Sequence, residues 1–137
     1  ICAIAEKLRG KAVASGDNTY RQKAVDILNI AWNNFPDTPY RPEILYVKAN
    51  TNFEWKKYAA ANTDYKSIMQ NFVSDPNVRP VPFWHVRYRT GQCEENLGND
   101  LAAKTAFWDV VNTYPTSAGA TKAQKKVTKL NAAIISP

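Results

Sequence analysis

Three segments of this 137-residue chain align without gaps and share one apolar spacing. AVDILNIAWNNFP runs from Ala24 to Pro36, ANTDYKSIMQNFV from Ala61 to Val73, and AKTAFWDVVNTYP from Ala103 to Pro115. In each, Ala is followed four residues on by a large side chain (Leu28, Tyr65 or Phe107). Ala31, Ile68 or Val110 stands seven on, Trp32, Met69 or Val111 eight on, and an aromatic (Phe35, Phe72 or Tyr114) eleven on. These offsets trace one stripe of a 3.6-residue helix, with Ala where two backbones approach closely. Pro36 and Pro115 close two of the segments, because Pro cannot donate the next helical hydrogen bond and restricts the residue before it. The pattern predicts an all-α chain of packed helical hairpins. No run of strand period is long enough for a sheet.

Each segment needs a partner helix before it. Pro42 to about Lys57 precedes the second, with Pro42 suited to a first helical turn. Phe83 to Leu97 precedes the third and stops at Gly98-Asn99-Asp100. Small residues stand twelve positions before each leading Ala, at Ala12, Ala49 and Gly91, which also suits close helix contact. Asp37 and Thr38, and Thr116 and Ser117, offer side-chain oxygens to cap the helices that follow. A last helix, about Ala118 to Ile134, turns Ala123, Val127, Leu130 and Ile134 inward against a lysine-bearing face. Terminal repeats need such a polar-backed cap. The Pro-rich stretch Ser74 to Pro82 reads as a stiff spacer or as a protruding contact loop with Arg79 at its tip. Trp32 and Trp108 read as packing residues, and Trp55 and Trp84 as rings half exposed near helix ends.

With 45% hydrophobic and 22% charged residues, the chain can bury a core, which excludes wholesale disorder. No apolar run approaches the roughly 18 residues of a membrane span. Cys2 and Cys93 are too few for a disulfide scaffold, lack zinc or redox spacing, and stand too far apart along a stack of hairpins to pair. His85 is the single histidine and has no second one to share a metal, so no metal or cofactor is expected. Glu94 and Glu95 cannot act as a carboxylate pair, since adjacent helical residues point about 100° apart. Nothing supplies nucleophile, base and anion hole together, which makes an enzyme the least favoured class. The chain starts without Met and shows no signal-type segment, which reads as a fragment or trimmed form of a longer protein.

The net charge is +6, and it is uneven. No acidic residue follows Asp109, whereas Lys122, Lys125, Lys126 and Lys129 all do. Their spacing sets them on one side of the last helix. That side reads as a solvated outer face, or as a contact for anionic lipid, nucleic acid or an acidic partner.

These residues resemble the tetratricopeptide repeat, whose pattern places Ala, a bulky residue four on and Pro eight beyond that. Ala24/Leu28/Pro36 and Ala103/Phe107/Pro115 match fully, and Ala61/Tyr65 matches with Val73 in place of Pro. Departures fall in the first helices: Lys11, Lys48 and Thr90 stand where the family prefers a large apolar residue, and Ser15, Asn52 and Glu94 where it prefers an aromatic. The resemblance implies one α-solenoid domain over 1–137, with repeats at about 5–38, 42–75 and 84–117 and a capping helix at about 118–134. FPDTPYRPEILY (Phe35 to Tyr46) and YPTSAGATKAQKKVTKL (Tyr114 to Leu130) are similar to the tetratricopeptide domains of the periplasmic Tol–Pal coordinator family. More loosely, they are similar to the repeat lipoproteins of the outer-membrane β-barrel assembly machine. That likeness implies a periplasmic or envelope location, with a cytoplasmic one left open, and a role in holding other proteins.

First helices of such arrays line the concave side. The resemblance therefore puts Glu43, Tyr46, Val47, Asn50, Phe53 and Glu54 in a groove, with His85, Tyr88, Arg89, Gln92 and Asn96 from the third repeat. Aromatic, Arg and amide side chains are the usual anchors of a protein-binding surface. The leading expectation is a non-catalytic scaffold that binds a peptide or protein segment. The alternatives are a structural subunit packed permanently in a larger complex or filament and, behind it, a nucleic-acid or anionic-membrane binder using the lysines. The oligomeric state is left open.

Overall fold

The leading residues of the three aligned segments vanish from solvent together. In the computed structural model, which describes residues 1–135, Ala24, Leu28 and Ala31, Ala61, Tyr65 and Ile68, and Ala103, Phe107 and Val110 are at most 2% exposed. Offsets 0, 4 and 7 form the buried rail, while Trp32, Met69 and Val111 at offset 8 are half-buried. Among the described residues there are seven helices and no strand. They are α1 (Cys2–Ser15), α2 (Asn18–Asn34), α3 (Arg41–Glu54), α4 (Tyr58–Asn71), α5 (Phe83–Asn96), α6 (Asp100–Thr113) and α7 (Ala120–Ile135). Each aligned segment is the body of α2, α4 or α6 and packs on the helix before it. Connections of only two or three residues within these pairs force them to run antiparallel.

The contacts divide the chain into two compact units. In the first, Ile1–Val81, α2 packs on α1 and α3, α3 packs on α4, and α1 also touches α3. Its core joins Ala5, Ala24, Leu28, Ala31, Ile44 and Val47, with Leu8 and Trp32 against it. In the second, which starts at Pro82, α6 lies against both α5 and α7. Its core joins Ala103, Phe107 and Val110 to Ala123, Val127 and Leu130, the inward face expected of the last helix. The side chain of Ile134, also expected there, lies outside the described residues. Small residues set the closeness of the pairs. A Cβ on Gly91 would fall 2.7 Å from the Phe107 ring, so the ring lies directly on the α5 backbone.

Helix ends follow local chemistry. Phe35, Phe72 and Tyr114, the closing aromatics, are the C-cap residues of α2, α4 and α6, with φ of −127°, −124° and −125°. Where Pro follows, ψ opens to 63° at Phe35 and 55° at Tyr114; where Val73 follows, Phe72 stays at −12°. α3 and α5 both end in a Schellman motif. Lys56 and Gly98 donate to the carbonyls of Phe53 and Glu95, and Lys57 and Asn99 to those of Asn52 and Glu94. Gly98 takes the left-handed conformation at no steric cost, but Lys56 occupies it at φ 60°.

Two expectations need correction here. No side chain caps α3: the Thr38 hydroxyl instead accepts the amide of Tyr40, one residue ahead of the helix, at 3.3 Å. The Pro-rich stretch does not hold Arg79 out as a tip. The Arg79 amide donates to the Pro39 carbonyl (2.7 Å), and its guanidinium lies 5.3 Å from the Tyr40 ring centre.

Candidate functional site

In the first unit, the expected groove residues are largely committed to the fold. Asn50 is only 8% exposed, and its amide oxygen accepts the Tyr65 hydroxyl across the α3–α4 pair at 2.5 Å. Val47 is buried in the core. Glu54 takes a hydrogen bond from Arg9 of α1, whose guanidinium also holds Glu6. Phe53 is half-buried and meets the Tyr58 ring edge-on at 5.4 Å, closing the α3–α4 turn. Tyr46 and Glu43 are half-buried. Glu43 lines a largely apolar hollow of about 380 Å³ with Cys2, Phe35, Tyr40 and Ile44. Burial, then the Glu43 charge, pushes the Cys2 thiol up, which keeps it protonated and unreactive at neutral pH.

The second unit gathers its candidates on one face. Trp84, His85, Tyr88, Arg89 and Gln92 follow one another on α5 at spacings of one or three residues and are all half-buried. With Ala118, Gly119 and Lys122 they enclose a recess of about 320 Å³. Gly119 is the reason the recess has a floor: a Cβ there would meet the Trp84 ring at 2.5 Å, so only glycine lets the ring lie on the turn before α7. A second recess of about 330 Å³ is lined by Tyr88, Lys122, Lys125, Lys126 and Lys129. The two share Tyr88 and Lys122. Thus the aromatic set and the lysine row, which look like separate surfaces along the sequence, adjoin on the α5–α7 face. Asn96 lines neither recess; it is exposed and donates to the Gln92 carbonyl at 2.8 Å.

Electrostatics fix the roles on this face. The Arg89 Nε donates to His85 Nε2 at 3.3 Å. Burial and the Arg89 charge hold the His85 imidazole down at about 4, so it is neutral at physiological pH and serves as an acceptor. Lys126 donates to Glu95 of α5 at 2.9 Å. Lys122, Lys125 and Lys129 are exposed and make no ion pair among the described residues. Tyr88 rests edge-on against Phe107 at 5.2 Å, which anchors its ring while leaving part of it at the surface.

Sequence reasoning missed two features. Trp84 lacks a periodic signal of its own, and only the Gly119 close approach reveals its seat. Trp108 was expected to pack, yet it is 45% exposed on α6 beside Leu101, at 67%. Trp32 does pack, beneath the Arg41 guanidinium at 4.9 Å. Among the described residues, no three His, Cys, Asp or Glu side chains gather as a metal site, and no helix is long and apolar enough to cross a membrane. Neither cysteine is in a disulfide. Compared with protein-family models and with curated proteins, the chain gives no match.

Proposed function

We propose that this chain is a non-catalytic protein-interaction module of tetratricopeptide type, with α1–α6 as three helix pairs and α7 as the capping helix. It holds a peptide or protein segment on the α5–α7 face. The observation that carries this reading is the recess between Trp84, Tyr88, Arg89, Gln92 and Lys122. Trp84, Tyr88 and Arg89 are half-buried and already held by Gly119, Phe107 and His85, so a bound chain meets little cost in immobilising them. The periplasmic or envelope location is supported by the sequence resemblance alone.

A displayed peptide library panned on the immobilised chain tests the reading. Enriched peptides should lose about tenfold or more in affinity for a folded Tyr88→Ala, Arg89→Ala double variant, the size of loss typical of interface anchors. Undiminished capture by that variant removes the reading.

A second reading, a structural subunit of a larger assembly, is favoured by one observation. Leu101 and Trp108 stand exposed on α6 around a hollow of about 360 Å³ shared with Val127 of α7. Sedimentation velocity separates the two: self-association abolished by Leu101→Glu and Trp108→Glu supports the subunit reading. A chain that stays monomeric at high concentration counts against it.

A further inference from the structure

We infer that the α5–α7 face takes an acidic, extended polypeptide segment, its carboxylates on the α7 lysine row and one apolar side chain in the recess over Trp84 and Gly119. This rests on the interaction reading above and adds the charge and pattern of the occupant.

The first argument is the charge that α7 leaves unanswered. Lysines three and four residues apart on a helix repel unless acidic residues at the same spacing neutralise them. No acidic residue follows Asp109, so α7 supplies none, and Lys122, Lys125 and Lys129 have no ion-pair partner among the described residues. The second argument is the one carboxylate that does reach the row. Glu95, projecting from α5, meets Lys126 at 2.9 Å and shows in the molecule itself how an acidic side chain seats at this face. The third is scale. From Lys122 to Lys129 the helix rises about 10 Å, the length of roughly three residues of extended chain. Alternate side chains of such a segment point the same way, so two carboxylates can face the row while the neighbouring recess accepts an apolar group. That the recesses share Tyr88 and Lys122 makes the two contacts continuous.

The same geometry disfavours the other anionic occupants. Tyr88 is seated against Phe107 and Trp84 on Gly119, so neither ring projects freely from the surface as a platform for successive stacked bases. Only Lys122, Lys125 and Lys129 of the row stand exposed and unpaired among the described residues, fewer than the about four to eight basic residues of a membrane-surface cluster.

Fluorescence anisotropy on the whole chain provides the test, at about 0.15 M salt where exposed charges are already partly screened. The probe is an end-blocked peptide of about a dozen residues, rich in Glu and Asp with two leucines; its control replaces each acid by the matching amide. The acidic peptide should bind at least about tenfold more tightly than the amide control, and Lys122→Glu, Lys125→Glu, Lys129→Glu should abolish that preference with the far-ultraviolet circular dichroism unchanged. Glu95→Gln, which releases Lys126 without adding charge to α7, should tighten binding about two- to threefold. Unchanged or weaker binding by Glu95→Gln counts against the inference, whether or not the triple variant folds. Equal binding of acid and amide peptides overturns the inference while leaving the interaction module standing. Failure of both these peptides and the displayed library removes both readings. Displacement of the acidic peptide by anionic phosphatidylglycerol vesicles or by a single-stranded oligonucleotide, at lower concentration than unlabelled peptide, also overturns it.

Discussion

Gly91 and His85 show how single side chains on α5 are tuned by what lies against them. In each of the three hairpins a small residue stands sixteen positions before a bulky one: Ala12 and Leu28, Ala49 and Tyr65, and Gly91 and Phe107. Gly91 is the one without a Cβ, and the Phe107 ring fills that place. Gly91→Ala should therefore destabilise by about 1–3 kcal/mol, the usual cost of overpacking, despite the better helix propensity of Ala. Adding Phe107→Leu, which removes the ring that the new Cβ would meet and gives the residue types of the first hairpin's Ala12 and Leu28, should recover part of the loss. Equal denaturant midpoints for Gly91→Ala and the native chain would contradict the packing. His85 makes a pH prediction. Its folded pKa, about 4, lies below its ordinary value of 6.5, so as pH falls the unfolded chain takes up the proton first. The stability it contributes is complete above about 6.5 and is lost between there and about 4. Arg89 on its own helix opposes its charging, and Lys122 from α7 lines the same recess. Between pH 7 and 4.5 the melting temperature should fall about 4 °C further in the native chain than in His85→Gln, taking roughly 1 kcal/mol after discounting the exposed part of the ring. Carboxylates common to both proteins cancel in that difference, and equal slopes would contradict the assignment.

Helix ends were partly legible in the sequence, and the illegible part is instructive. Gly98 announces the end of α5, whereas Lys56, forty-two positions earlier at the same place in its hairpin, carries no such signal yet adopts the same left-handed turn. Tertiary packing of α3 on α4 evidently overrides the local penalty. Lys56→Gly should stabilise the chain by up to about 1 kcal/mol, read as a higher denaturant midpoint. No gain there would mean that the unfolded-state entropy of Gly offsets the relieved strain. Val73 gives the converse case. Pro at this position would complete the pattern seen at Pro36 and Pro115, and an alignment of the three segments recommends it. The structure argues the other way: Phe72 has ψ −12°, a value that a following Pro disfavours, and its ring is 4% exposed with the Arg41 guanidinium above it. Val73→Pro should cost about 1–3 kcal/mol, while Pro36→Ala and Pro115→Ala should cost less. A stabilised Val73→Pro would show that the α4 end adapts freely.

Across the molecule, burial is distributed unevenly, and that sets an order of local stability. The rail offsets made α2, α4 and α6 readable from spacing alone, because their inward faces repeat. Asn50 and Glu54 were harder to place. A polar side chain that bonds across a hairpin leaves the same trace in sequence as one that faces solvent, and only the positions of Tyr65 and Arg9 separate the cases. The meeting of the lysine row with Tyr88 was hidden for a similar reason: it joins α7 to α5, helices that are not consecutive. Within the first unit, α3 buries Ile44, Leu45, Val47 and Ala49 together with Asn50, Thr51 and Asn52, whereas α1 fully buries only Ala5 and Ala12. Two alanines cover little apolar area, and a 14-residue helix is marginal without packing. Further support for α1 comes from the half-buried Cys2 and Leu8 and from the Arg9 link to Glu54. Amides of α1 should therefore exchange with solvent at least about tenfold faster than those of α3, an opening easier by roughly 1.4 kcal/mol or more. Arg9→Ala should widen that gap by loosening α1, because Arg9 bonds both Glu6 of its own helix and Glu54 of α3. If α1 and α3 instead exchange at one rate, and Arg9→Ala accelerates both equally, the first unit opens as a single cooperative body and the graded picture is wrong.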